Sequence, residues 1–270
     1  MKRKRMIIMS DLHCGHRAGL TPPDWWFQKN TEHIIFNPKN RSRWAQQQRA
    51  MWQWYTKTLD RLRQEKAFDI CVVNGDAIDG TGSRSGGTEL ITTDREEQIE
   101  MAEQCIRKVG AAKHVLTYGT PYHTGQEEDF ETILARRLQA DISGQMFIEV
   151  NGIKFDIKHK VGGSSVPYGR HTAISREKLW NLIWADKGLQ PNCDVYIRGH
   201  VHFFAANEDT MGLGIILPAL QGFGSKYGVR QCSGTVDIGF VYFDFYEDGS
   251  WQWQKEIAKL KCQAEQCLKL

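Results

Sequence analysis

No stretch of this 270-residue sequence approaches the run of about eighteen apolar residues that a membrane-crossing helix needs. The start, Met1-Lys2-Arg3-Lys4-Arg5, is basic like the first part of a signal peptide, but the apolar run behind it, Met6 to Met9, is far too short to complete one. A cytoplasmic protein with no membrane partner is therefore expected. Charge of one sign is scarce as well: 35 Lys and Arg stand against 32 Asp and Glu, a formal net charge of +3. That balance tolerates an anionic substrate and argues against a dedicated DNA-binding surface, which would be more basic. Cysteine is sparse and lacks any CxxC spacing; the odd set of Cys14, Cys71, Cys105, Cys193, Cys232, Cys262 and Cys267 reads as reduced thiols. A hydrophobic content of 41% with 25% charged residues suits a soluble globular protein. A chain this long buries a core without disulfide or metal staples, so ligand-type residues in it are free to serve chemistry. The length fits a single domain over 1–270, with an insertion at about 17–66.

What is present is a series of short apolar runs, each ending in a polar or glycine cluster. Met6–Met9 leads to Ser10-Asp11, Ile70–Val73 to Asn74-Gly75-Asp76, His114–Tyr118 to Gly119-Thr120, and Val195–Ile197 to Arg198-Gly199-His200. Buried strands with function at their carboxyl ends read this way. Between them lie helical patterns over Arg43–Lys66, Asp94–Val109, Asp129–Leu138 and Ser175–Asp186, with Thr93 or Asp94 and Ser175 as N-caps. In the first, Trp44, Met51, Trp52, Tyr55, Leu59 and Leu62 recur on one face and are expected in the core. Asn151-Gly152 between two alternating runs marks a hairpin, and Val236–Tyr246 with Trp251–Trp253 marks another. The result is an α/β (α+β layered) architecture with mixed sheets. Arg17–Asn40 has no clear period and reads as a long surface excursion; Trp25 and Trp26 within it suit either base stacking or packing.

Six polar residues fall at strand ends: Asp11, His13, Asp76, His159, His200 and His202. In a strand, residues i and i+2 point the same way, so Asp-x-His and His-x-His are each expected to present two ligands to one point. Carboxylate with imidazole is a donor mix for manganese, iron, zinc or nickel. Two such ions, sharing an aspartate, clamp a phosphate and generate hydroxide near neutral pH.

The order Asp11-Leu12-His13, Gly75-Asp76-Ala77-Ile78-Asp79, a degenerate third motif, His159, and Gly199-His200-Val201-His202 resembles the calcineurin-like metallophosphoesterase superfamily over roughly Met6 to Phe204. The resemblance implies a β-sandwich of two mixed sheets flanked by helices. It implies a first metal on Asp11, His13 and His202, a second on His159 and His200, and Asp76 bridging them. Asp79 would be a supporting acid, and a bridging hydroxide would attack phosphorus in line. The third motif departs from the family's Gly-Asn-His-acid and reads Gly119-Thr120-Pro121-Tyr122-His123. Either Thr120 takes the Asn position with His123 displaced, or Tyr122-His123 replaces Asn-His. His123 is then the proton donor or a ligand to the second metal.

A phosphodiester or nucleotide-type substrate, with nucleic acid included, is the first expectation. The alternatives are a phosphomonoesterase and a non-catalytic metal-binding module that has lost its third motif. Other polar residues carry two readings each. Cys14 is expected to be a small buried side chain beside the site. His16 is either a substrate contact or an exposed loop histidine. Arg170 and His171, near Gly162-Gly163-Ser164-Ser165, suit a phosphate or a plain surface loop.

Overall fold

The structure, a computed structural model, describes residues 3–26, 38–125, 129–164, 166–225, 228–229 and 234–260. Residues 27–37, most of the second half of the excursion read from the sequence, lie outside these, as do Ser165, Cys232, Cys262 and Cys267. Two mixed sheets stack face to face with helices outside them, as the sequence implied. The first sheet has the order β11-β10-β1-β2-β3-β4, built from β1 (Arg3–Met9), β2 (Ile70–Asn74), β3 (Lys113–Thr117), β4 (Asp141–Ser143), β10 (Gly239–Tyr246) and β11 (Trp251–Ile257). β1 to β4 run parallel, and β10 and β11 add antiparallel. The second sheet has the order β5-β6-β7-β9-β8, from β5 (Met146–Val150), β6 (Ile153–Ile157), β7 (Val195–Arg198), β8 (Ala205–Asp209) and β9 (Gly212–Ile216). In it β6, β7 and β9 are parallel.

The uninterrupted apolar runs of β1 and β2 follow from burial on both faces. Met6, Ile8 and Val72 point between the sheets against Phe155, Ile197 and Phe243, while Ile7, Met9, Cys71 and Val73 point outward under the helices. Those helices are α1 (Pro38–Glu65), α2 (Arg95–Arg107) and α4 (Phe130–Leu138), with a single turn α3 (Pro121–Thr124) between β3 and α4. The stripe read from the sequence is the one α1 buries: Trp44, Met51, Tyr55, Leu59 and Leu62 are covered, and Trp52 packs against the same core. Asp94 caps α2 and Asp129 caps α4, each accepting from a backbone N–H two residues on. Asn151 and Gly152 both take positive φ, 51° and 86°, as a two-residue hairpin turn with twisted strands requires.

Two expectations are corrected. The fifth helix, α5 (Arg170–Asp186), begins five residues earlier than Ser175, whose hydroxyl donates back to the His171 carbonyl inside the helix instead of capping it. Arg17 to Thr21 are buried and not a surface excursion: Leu20 N donates to Leu12 O, and Arg17 pairs with Glu89. The short strands β4, β8 and β9 carry too little pattern to be read beforehand.

One buried ion pair ties the first layer together. Arg5 in β1 donates from Nε and Nη2 to the two oxygens of Asp244 in β10 (2.7 and 2.8 Å) and from Nη1 to the Leu62 carbonyl of α1 (2.8 Å). Both side chains are 1% exposed. Asp244→Ala leaves that guanidinium buried without its counter-charge and is expected to cost about 3–5 kcal/mol, read as a lower urea midpoint with an unchanged slope.

Candidate metal centre

The carboxyl ends of β1, β2, β6 and β7 meet at one edge of the sandwich. Asp11 N donates to Gly75 O, His13 N to Asp76 O, and Gly199 N to His159 O (3.1, 3.0 and 2.7 Å), so four motif loops are stitched in two pairs by backbone alone. The chain leaves each strand through left-handed backbone. Asp11, His13, Asp76, His200 and His202 have φ of 53°, 45°, 49°, 74° and 58°. The strand alternation expected to pair Asp with His at i and i+2 is thus not what aims them; the residues lie beyond the strands, on turns. Each such non-glycine residue costs roughly 1–2 kcal/mol of backbone strain, least for short polar side chains. Gly119 is fixed by crowding, since a Cβ there would lie 2.1 Å from Asp76 Oδ1.

The side chains converge in three overlapping groups, each with ligand atoms within 4.8 Å of one another: Asp11, His13 and His202; His13, Asp76 and His123; and Asp76, His159 and His200. Three imidazoles are oriented from outside. His13 Nδ1 donates to Asp79 Oδ1 (2.7 Å), His159 Nδ1 to the Asn74 carbonyl (2.7 Å) and His123 Nδ1 to the Asp79 carbonyl (3.1 Å), and the Nε2 edges of His13 and His159 face Asp11 and Asp76. His13 Nε2 and His202 Nε2 stand 3.2 Å apart, and His159 Nε2 is 3.0 Å from Asp76 Oδ2. Asp11 Oδ2 accepts from His200 N (3.1 Å) and has Ser10 Oγ beside it (2.5 Å), whereas Asp11 Oδ1 is buried with no hydrogen-bond partner. An orphaned carboxylate oxygen facing imidazole nitrogens is a donor set that divalent ions fit.

Charge follows the geometry. Burial pushes the carboxyls of Asp11 and Asp76 up, but the surrounding histidines outweigh it and hold both below the usual carboxylate range. Burial lowers His159, yet Asp76 and Asp11 raise it to about 10, and His13 is raised in the same way by Asp11 and Asp79. His123 is lowered by burial and by His13, and His200 by burial and His159.

Of the third motif, Thr120 and not Tyr122 lies against Asp76, with its N–H on Oδ1 (2.7 Å) and its hydroxyl 3.1 and 3.2 Å from the two oxygens. His123 sits one helical turn on, its ring edge-on to His13 at 4.6 Å. It opens onto a cavity of about 260 Å³ lined also by Gly80, Thr81, Arg95 and Tyr122.

Other residues fall outside this cluster. His16, expected in an exposed loop, is buried; its Nδ1 accepts from Ala18 N, and burial pushes its pKa down to about 4. Cys14 is a buried thiol donating to the Leu20 carbonyl. Arg170 donates to Thr235 Oγ1 and lies over the Phe203 ring, and His171 is exposed on the first turn of α5; neither belongs to a ligand group. Trp25 packs on the core and Trp26 donates to the Thr21 carbonyl under Arg49.

Two supporting residues escaped the sequence reading. Glu131 of α4 is buried and accepts from Ala77 N and Gly119 N (both 2.7 Å), clamping the second motif to the third. Gln98 of α2 accepts from Asp79 N and Gly80 N and donates to the Gly80 carbonyl. Each had a signal: Glu131 lies on the buried stripe with Leu134, Ala135 and Leu138, and Gln98 with Met101, Ala102 and Cys105. A polar residue inside an apolar helical stripe has to be hydrogen-bonded to something.

No protein-family model and no curated protein matches the chain. Among solved structures it is similar to wild-type Vps29 from Entamoeba histolytica complexed with zinc, at 13% identity over 94% of this chain and 98% of that one, with a TM-score of 0.42. A novel archaeal phosphodiesterase gives 13% identity over 94% and 99%, with a TM-score of 0.43. A conserved uncharacterized protein, a predicted phosphoesterase from Streptococcus pneumoniae TIGR4, gives 12% over 96% and 99%, with a TM-score of 0.37. Likeness at this level assigns no activity to the chain.

Glu131→Gln replaces one of two acceptor oxygens by an NH2 group that faces a backbone N–H. Leaving that donor unpaired is expected to cost about 1–3 kcal/mol by urea unfolding. The pH dependence is set by the same centre. In chelator-treated protein the raised His159 stabilises fully below its ordinary 6.5, and that contribution is lost as pH rises through about 10. The depressed Asp11 and Asp76 contribute above their ordinary 3.8 and lose it as pH falls. Glu131, raised to about 8 chiefly by burial and by Asp76, adds a penalty as it ionises between 4.5 and 8. Chelator-treated protein is therefore expected to have a higher urea midpoint at about pH 6 than at about pH 9.5, and saturating Mn2+ is expected to narrow the gap; an equal midpoint at both removes this charge arrangement.

Proposed function

We propose that the protein is a phosphoester hydrolase acting with two divalent transition-metal ions (manganese, iron, zinc or nickel). The observation that supports this best is the orientation of the donors. Three imidazoles are tied at Nδ1, and two of them, His13 and His159, bring Nε2 within 3.8 and 3.9 Å of the buried Asp11 Oδ1, with His202 Nε2 at 3.2 Å. In this reading Asp11, His13 and His202 hold one ion, His159 and His200 the other, and Asp76 lies between them. When bound, two such ions clamp phosphate oxygens and supply hydroxide near neutral pH.

The chain's own groups do the rest. Thr120 holds both oxygens of Asp76 and so fixes the plane of the shared carboxylate. Asp79 holds His13 by its carboxylate and His123 by its carbonyl, with the same carboxylate 3.4 Å from His123 Nδ1, where it supports an imidazolium. We assign His123 as the proton donor to the leaving oxygen. The cavity beside it offers the Arg95 guanidinium and the Tyr122 ring, which suit an anionic ester with a ring, and this favours a phosphodiester or nucleotide-type substrate over a monoester. The whole of 1–270 is read as one cytoplasmic domain with the insertion at about 17–66. A second reading, a non-catalytic metal-binding module, is favoured by one feature: Thr120 stands where an asparagine ligand is the family's pattern.

Two measurements separate these. Protein saturated with manganese is expected to carry about two ions per chain and to hydrolyse a nitrophenyl phosphodiester. Two ions without turnover supports the binding module, and one ion or none sinks both. Asp76→Asn is expected to lower activity by orders of magnitude with an unchanged circular dichroism spectrum; an unfolded variant makes Asp76 structural. His123→Ala is expected to keep its metal content and to lose about a hundredfold or more on an alkyl ester, with a smaller loss on the nitrophenyl ester, because a good leaving group needs no proton. Lost metal with equal losses on both makes His123 a ligand.

A further inference from the structure

Helix α5 buries two polar side chains beside Ala173 and Ile174: Lys178 and Asn181 are 0% and 1% exposed, and both are fully engaged. Lys178 Nζ donates to the carbonyls of Gly212 and Asn207, and Asn181 bonds the Pro191 carbonyl and Cys193 N. Its outer face carries Leu179, Trp180, Ile183 and Trp184, exposed by 49%, 55%, 37% and 42%. A helix at the surface of a monomer is expected to be polar on its outer face, and an exposed apolar stripe of this kind marks a contact surface.

The stripe has charged ends. Arg176, Leu179, Ile183 and Asp186 follow each other at steps of three and four and so form one line along the helix, with Trp180 and Trp184 beside it. Arg176 and Asp186 are exposed, and neither has an ion-pair or hydrogen-bonding side-chain partner among the described residues. A carboxylate in the last turn of a helix opposes the helix dipole and gains from a cation facing it.

We propose that this face binds a second copy of the chain, with the two α5 helices packed antiparallel about a twofold axis at Asn181. In that register Arg176 faces the partner's Asp186, and Leu179 faces the partner's Ile183, each pair occurring twice. The stripe is self-complementary in charge and in apolar character. Its four apolar side chains are only 37–55% exposed and offer on the order of 400 Å², so the surface flanking them supplies the rest of the ~800 Å² per partner of a standard interface. A lipid surface is disfavoured by Asp186, because helices that lie on membranes ring the apolar face with Lys and Arg. The inference is independent of the metal centre, since none of its residues belongs to that cluster.

The test is sedimentation velocity on the full chain. A dimer is expected at micromolar concentration, and Leu179→Glu with Ile183→Glu is expected to give a monomer with an unchanged circular dichroism spectrum. Arg176→Asp alone is expected to weaken the dimer by about tenfold or more, and adding Asp186→Arg is expected to restore it to within about threefold. Both charge sites are exposed, so this pair also serves if the apolar variant fails to fold. A wild-type monomer at about 100 μM, with or without binding to anionic vesicles, overturns the proposal. So does a dimer that the glutamates leave intact, or a charge swap that does not restore it.

Discussion

Two carboxylates, Asp11 and Asp76, are buried within reach of the same imidazoles, and the surrounding architecture answers to that. An unpaired carboxylate in such a place would be neutralised or would unfold the chain. Here the histidines supply the counter-charge, and their positions require outer acceptors: the Asn74 carbonyl and both the carboxylate and the carbonyl of Asp79. Those acceptors need holding in turn, which is the work of Gln98 and Glu131 on the buried faces of α2 and α4. The centre therefore reaches outward in shells, from carboxylates to imidazoles, to backbone, to helices.

The second dependence is on parallel strands. β1 and β2 in one sheet and β6 and β7 in the other all deliver their carboxyl ends to the same edge of the sandwich. Loops from different sheets then approach closely enough for Leu220 N to reach the Ser10 and Asp11 carbonyls and for Ser10 to exclude a Cβ at Gly199. Arg5 and Asp244 hold β1 against β10 and α1 from the opposite end of β1, so the strand that carries Asp11 and His13 is fixed at both ends.

Much of this was legible in the residues. The Asn151-Gly152 turn, the Asp94 cap and the Asp and His motifs whose side chains converge are local patterns, and local patterns survive folding. The two-sheet architecture followed from the motif resemblance. What the sequence hid was relational. The pairing of Asp11 with His13 was read as strand alternation, but turns beyond β1 do it, because a left-handed backbone leaves no periodic trace. Thr120 could be placed against Asp76 only once β2 and β3 were neighbours. His16 looked like a loop residue until Glu89 and the chain around Leu90 covered it. Ser175 resembled a cap because the buried face of α5 is broken by Lys178 and Asn181, which blurs where its apolar positions Ala173 and Ile174 begin.

The left-handed turns set main chain against side chain. Asp11, His13, Asp76, His200 and His202 each occupy backbone that glycine adopts without strain. Glycine at any of these positions relieves the main chain but removes a buried charge or its counter-charge, so backbone and electrostatics pull each position in opposite directions. The side chains stand where the main chain alone would choose glycine, and each is held there by its neighbours.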